Sequence, residues 1–306
     1  MNHLVSATWR SHPVIYQVEP GYGLHWHDRR FQMKNLKTNA LKELPLPNPA
    51  WPGVPVPNPD AWVVNTFWQA PDVVDLFEAT FVVPAEPSTK ATQQIFLWPG
   101  LEAFGAEFSG LLQPVLAWGP WHAGGGRYWS VSSWYFQHPA MLWNPREPNF
   151  NVAFASTPVG FQTPAVQVNV GDTLTAVMRR TQETETASGY FDHQCEFFKV
   201  PDPTIPSRRI AIPGTALHLS QLLLRLNACY VTLEVGEGVT DCNHYPNTTK
   251  MTMTNITIQS LGTNQTVKWQ EFNPSSSGVS LACGEQAKAV INNAAITEVD
   301  LHFRKS

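Results

Sequence analysis

Residues 76–84 read LFEATFVVP. Phe77, Ala79 and Phe81 alternate with Glu78, Thr80 and Val82, the period of a strand with one buried face, and Pro84 ends the run because it has no amide for a ladder. The same signal recurs on both sides. Downstream it continues through IFLWPGLE (95–102), LLQPVLAWG (111–119), RYWSVSSWYFQ (127–137), AVQVNVGDTLTAVMRR (165–180), NACYVTLEVG (227–236), KMTMTNITIQ (250–259), TVKWQEF (266–272) and ITEVDLHFR (296–304). Gly171-Asp172 marks a turn between two alternating runs. Upstream, VIYQVE (14–19) and GLHWH (23–27) have the length of short strands. Only ALHLSQLLLRL (216–226) has apolar spacing that also suits a helix. Many short strands with turn punctuation predict an all-β chain, a two-sheet antiparallel sandwich or jelly roll with long loops.

Residues 1–60 form an N-terminal extension ahead of the sandwich domain, 61–306. The proline-dense arm from Leu44 to Pro59, LPLPNPAWPGVPVPNP, cannot be a central strand or a helix, and is expected to lie extended on the domain. With 306 residues and 43% hydrophobic content, the chain can bury a sizeable core despite 26 prolines and only 14% charged residues. The net charge of −4, with no run of Lys or Arg, argues against nucleic acid as a partner. No run reaches the roughly 18 apolar residues that cross a bilayer, so no membrane is expected.

The N-terminus, MNHLVSATWRSHP, has no apolar core of a leader peptide, yet three N-glycosylation sequons begin at Asn247, Asn255 and Asn264. The sequons make a secreted glycoprotein the expectation; the alternative is a Thr-rich strand edge. The four cysteines, Cys195, Cys229, Cys242 and Cys283, have no C-x-x-C spacing, which argues against zinc. Two disulfides or free thiols both fit, and a Cys229–Cys242 bridge would close a short loop. His25 and His27 would share a strand face, but no third ligand accompanies them, so neither metal nor cofactor is expected.

Between Phe81 and Glu234 the chain resembles the eqolisin family of glutamic peptidases. FVVP (81–84), IFLWPGLE, LLQPVLAWG and YWSVSSWY (128–135), the last followed by VGDTLTA, occur in the family's order. The resemblance implies a concanavalin-like sandwich and a hydrolase built on a glutamine and a glutamate from facing strands. The carboxyl would activate water, and the amide would orient it and stabilise the oxyanion. Gln113 matches the glutamine, on a strand face with Leu111 and Val115 and opposite Leu112 and Leu116. The family's Asn-Ala-Glu-Trp pattern is met by Asn227-Ala228-Cys229-Tyr230, which puts Cys229 at the acid's place. Another acid is then required: Glu234, further along the same strand, comes first, and Glu102 second. A thiol nucleophile at Cys229 would need a lowered pKa and a nearby base.

Six of the twelve tryptophans lie between Trp98 and Trp143. Trp98, Trp118, Trp129, Trp134 and Tyr135, with Cys229, are candidate lining residues of a concave groove for an extended peptide or a glycan, because aromatic faces stack on C–H surfaces at small entropic cost. Filling the core is the competing use of the same rings. The loop GPWHAGGGRY (119–128) is a candidate lid. A non-catalytic lectin-like module, or a glycan hydrolase or lyase on the same fold, is the alternative function.

Overall fold

The computed structural model describes residues 14–27, 30–44, 62–103, 110–121, 124–137, 159–181, 191–202, 204–205, 208–222, 225–236, 238–273 and 281–304. Most of the proline-dense arm lies outside them. The strands in chain order are β1 (Val14–Gln17), β2 (Tyr22–His27), β3 (Arg30–Asn35), β4 (Leu41–Glu43), β5 (Trp62–Gln69), β6 (Val74–Val82), β7 (Ile95–Glu102), β8 (Gly110–Trp121), β9 (Gly124–Gln137), β10 (Val159–Gln162) and β11 (Val166–Gln167). They continue as β12 (Thr173–Arg180), β13 (Phe191–Lys199), β14 (Ile210–Ala211), β15 (Leu217–Leu222), β16 (Ala228–Val235), β17 (Lys250–Ser260), β18 (Thr263–Asn264), β19 (Gln270–Phe272), β20 (Gln286–Ile291) and β21 (Thr297–His302). Among the described residues the only helical element is a short 3₁₀ turn at Cys242–His244.

The strands form two sheets. The first is nine-stranded, in the order β1-β10-β9-β8-β7-β16-β5-β19, with β11 on β9. The second is twelve-stranded, in the order β20-β21-β17-β6-β12-β13-β15-β2-β3-β4, with β14 on β13 and β18 on β17. Pairing is antiparallel except for β1 with β10 and β15 with β2. Both parallel pairs bring in N-terminal strands, so the described part of residues 1–60 is built into the two sheets and is no appendage to them.

The sheets pack face to face through Leu112, Leu116, Trp118, Trp129, Val131 and Tyr135 on one side and Leu174, Ala176, Met178, Cys195 and Phe197 on the other. The Ser133 hydroxyl crosses the interface and donates to the Cys195 carbonyl at 3.2 Å. Residues 217–222, which allowed a helix, form β15, because Leu217 and Leu219 alternate with His218 and Ser220 and bury against β13.

Cys242 bridges Cys283, and Cys195 and Cys229 are buried free thiols. The candidate lid is instead the tight β8–β9 hairpin. Gly124, Gly125 and Gly126 begin β9, opposite Trp121, Pro120 and Gly119. The positive φ of Gly119 falls at the register shift that follows Trp118, and those of Gly124 and Gly125 open β9.

Candidate functional site

The strand alternation of the first sheet sets its two faces. One looks into the core. The other, the outer face, carries a second apolar cluster that includes Phe96, Trp98, Leu111, Val115, Trp134, Phe136 and Tyr230. Gln113 is on this outer face, as its register with Leu111 and Val115 requires. Directly beside it on β9 is Trp134, whose indole donates to Ser132 Oγ at 2.8 Å and stacks on Phe136. On its other side the row passes over Gly100 of β7 to Tyr230 of β16. No side chain rises from Gly100, and the Trp98 ring lies over that spot: a Cβ there would stand 2.7 Å from it.

Two of the acids expected from the sequence are on this face, at opposite ends. Glu102 pairs with Leu111, two residues from Gln113, and with Ala228, two residues from Tyr230. Such diagonal neighbours sit about 7–8 Å apart, within reach of long side chains. Tyr230 hydrogen-bonds to the Glu102 carboxyl. Glu234 is four residues beyond Tyr230 along β16, roughly 13 Å at a strand's rise. There it accepts the Trp98 indole N–H at 2.9 Å. Of these two acids, Glu102, the second choice from sequence, is thus the nearer to Gln113.

Gln113, Glu102, Glu234 and Tyr230 are each less than a tenth exposed. Burial pushes the Glu102 carboxyl up to about 7, against a smaller opposing pull from the Tyr230 hydroxyl. Burial likewise lifts Glu234 to about 7, opposed by the Trp98 hydrogen bond. Gln113 Oε1 and Glu102 Oε2 are both buried and without a hydrogen-bond partner among the described residues. Each such atom costs about 1–3 kcal/mol.

Cys229 is corrected by the alternation. It is wholly buried on the core face, with its thiol pushed well above the usual range by burial, so it can neither line the outer face nor act as a thiolate. The β16 residue on Gln113's row is Tyr230, which the sequence already groups with Thr232 and Glu234 on one face of the strand. Its signal was the strand period: Tyr230 shares parity with Glu234 and not with Cys229. Trp118, Trp129 and Tyr135 also point into the core and do not line the outer face. Trp98 and Trp134 do line it, and Trp62, which packs edge-on against Trp98 and Tyr230 at 5.1 and 5.3 Å, joins them.

No group of three or more metal-ligating side chains occurs among the described residues, and His25 Nδ1 shares a hydrogen bond with Ser220 Oγ at 2.8 Å.

No protein-family model matches the chain, and no curated protein sequence matches it. Among solved structures, the chain is similar to scytalido-glutamic peptidase in complex with a peptide-based transition-state analogue. The identity is 12%, the TM-score 0.42, and the match covers 78% of this chain and 98% of that one. It is likewise similar to SCP-B, a member of the eqolisin family of peptidases, in complex with the tripeptide Ala-Ile-His, at 12% identity and a TM-score of 0.43, covering 79% and 98%.

Proposed function

We propose that the outer face of the first sheet is the site of a hydrolase acting on an extended peptide, with Gln113 and Glu102 as the reacting pair. One observation carries the reading. A glutamine and a carboxyl stand on neighbouring strands of one face, each with a buried oxygen that has no partner among the described residues. A fold retains such costly groups where a ligand or a reaction satisfies them. In this scheme ionised Glu102 takes a proton from a water molecule as its oxygen attacks the scissile carbonyl. The Gln113 amide N–H donates to the oxyanion that forms. The proton then passes from Glu102 to the leaving amine, and the carbonyl is restored as the C–N bond breaks. Tyr230 is a positioning residue: its hydroxyl holds the Glu102 carboxyl.

A base with a pKa of about 7 is mostly protonated in acid, so turnover should fall below neutrality. The test is digestion of unfolded polypeptide from pH 3 to 9. Cleavage by the wild type should rise through a midpoint of about 7. It should drop about 10²–10⁴-fold in Glu102→Gln and Gln113→Ala, and survive in Glu234→Gln. Absence of cleavage by the wild type at every pH, with a peptide or glycan held tightly, would contradict the hydrolase. It would favour the second reading, a binding module, which rests on Tyr230 standing where a carboxyl would face Gln113 across Gly100.

A further inference from the structure

We propose that the outer face of the second sheet is an N-glycosylated surface, with Asn255 and Asn264 as its main acceptors and Asn247 as a third. The three sequons Asn247-Thr-Thr, Asn255-Ile-Thr and Asn264-Gln-Thr all fall inside the loop closed by the Cys242–Cys283 disulfide, whose ends are 41 residues apart. Disulfide formation and N-glycosylation belong to the same oxidising, secretory route, so two independent chemistries point to one compartment.

The structure fits each asparagine to carry a glycan. All three are exposed. Along β17, Met251, Met253, Ile256 and Ile258 fill the core, while Asn255 stands out of the sheet at the irregularity where the register with β21 shifts. Its φ of 50° is in the left-handed region, which asparagine tolerates better than most side chains. Asn264 on β18 uses its amide oxygen as an acceptor, taking a hydrogen bond from Gln259 Nε2 at 2.9 Å. That fixes the side chain with its amide nitrogen, the atom that is glycosylated, turned away from the bond. Between these two lies Leu261, a large apolar side chain that is 66% exposed and that a glycan on either neighbour would shield. Both asparagines sit on the sheet opposite the one bearing Gln113, so glycans there leave the proposed reacting face clear.

In the modification the asparagine amide nitrogen displaces a lipid diphosphate from the anomeric carbon of a lipid-linked oligosaccharide. The C–O bond to phosphate breaks, an N-glycosidic bond forms, and one amide proton is released. The chain supplies its own control, because Asn273-Pro-Ser has a proline at the middle position, where acceptance fails.

The test is to secrete the full chain from a eukaryotic host, cut it with an amidase that releases N-glycans and leaves aspartate at each former site, and map the peptides by mass. Conversion to aspartate at Asn255 and Asn264, and to a smaller extent at Asn247, with Asn273 unchanged, is expected, together with an intact mass above the polypeptide's 34.1 kDa before treatment. The variants Asn255→Gln and Asn264→Gln should each remove one step of that excess. An untreated mass equal to the polypeptide's, with every asparagine unchanged, would overturn the proposal.

Discussion

The two outer faces of the sandwich treat their acids in opposite ways. On the second sheet, Glu78 is paired with Arg209 at 2.6 Å, Glu196 with Arg179 at 3.0 Å and Asp300 with Lys250 at 2.6 Å. Burial raises Glu196, yet Arg179 and Arg209 pull it back towards the ionised form. On the first sheet, Glu102 and Glu234 meet, among the described residues, a phenol and an indole rather than a guanidinium or an ammonium, and both are lifted to about 7. The difference separates acids that serve the fold from acids that the fold tolerates. An ion pair at a half-wet surface contributes little and costs little. A lone buried carboxyl costs stability whenever it is ionised, and such groups concentrate where chemistry is done.

The largest expected effect follows from that cost. A carboxyl whose pKa is about 7 in the folded chain and 4.5 unfolded binds its proton more tightly when folded. Stability is therefore greatest below 4.5 as far as these two groups are concerned, and is lost as pH rises from there through 7. The loss is on the order of 3 kcal/mol for each carboxyl. Buried His193, held neutral with its pKa down at about 3, contributes the opposite slope over the same window, so the carboxyls are read from the difference: in urea unfolding between pH 4 and 8, the double variant Glu102→Gln, Glu234→Gln should gain on the wild type progressively as pH rises, most at pH 8. A difference between the double variant and the wild type that does not grow with pH would break the contrast between the faces.

An intermediate effect is expected at Trp98. Trp98→Phe keeps an aromatic ring over Gly100 but removes the N–H that Glu234 accepts. Because that bond opposes the rise in the Glu234 pKa, its loss should push the midpoint above 7 and cost about 1.5–3 kcal/mol where Glu234 is ionised. Equal costs at pH 5 and pH 9 would show that the indole serves packing alone. The smallest effect belongs to the second sheet: Lys199→Ala, which removes the 2.7 Å pair with Asp172 on a side chain 46% exposed, should cost about 0–1 kcal/mol and less in salt.

Much of this arrangement was legible in the sequence because side-chain direction along a strand has period two. LFEATFVVP placed Phe77, Ala79 and Phe81 in the core, and LLQPVLAWG put Gln113 with Leu111 and Val115. The same rule, applied strictly, separates Cys229 from Tyr230 and Glu234. The sequence does not say which of those two faces is the core, and the match of NACY to the family's pattern puts Cys229 at the acid's place whichever face it occupies. In the aromatic strand 128–135 the period separates Trp129 and Tyr135 from Trp134, but with aromatics on both faces it does not say which face is the core; the structure puts Trp129 and Tyr135 there and Trp134 on the outer face. Residues 216–226 are ambiguous in the sequence because Leu217 and Leu219 keep a strand's period while Leu219, Leu222, Leu223 and Leu226 keep a helix's. The Cys242–Cys283 bridge was beyond reach, since pairing over 41 residues depends on how β17 to β20 fold back, which local sequence does not encode.

The central claim is that Glu102, beside Gln113, is a carboxyl poised near neutrality. Titration of its side-chain carbon by NMR, assigned by its loss in Glu102→Gln, tests this without needing a substrate. The account predicts a midpoint of about 7, moving higher in Tyr230→Phe because the phenol's hydrogen bond favours the ionised form. A midpoint at the ordinary 4.5, unmoved by Tyr230→Phe, would contradict it.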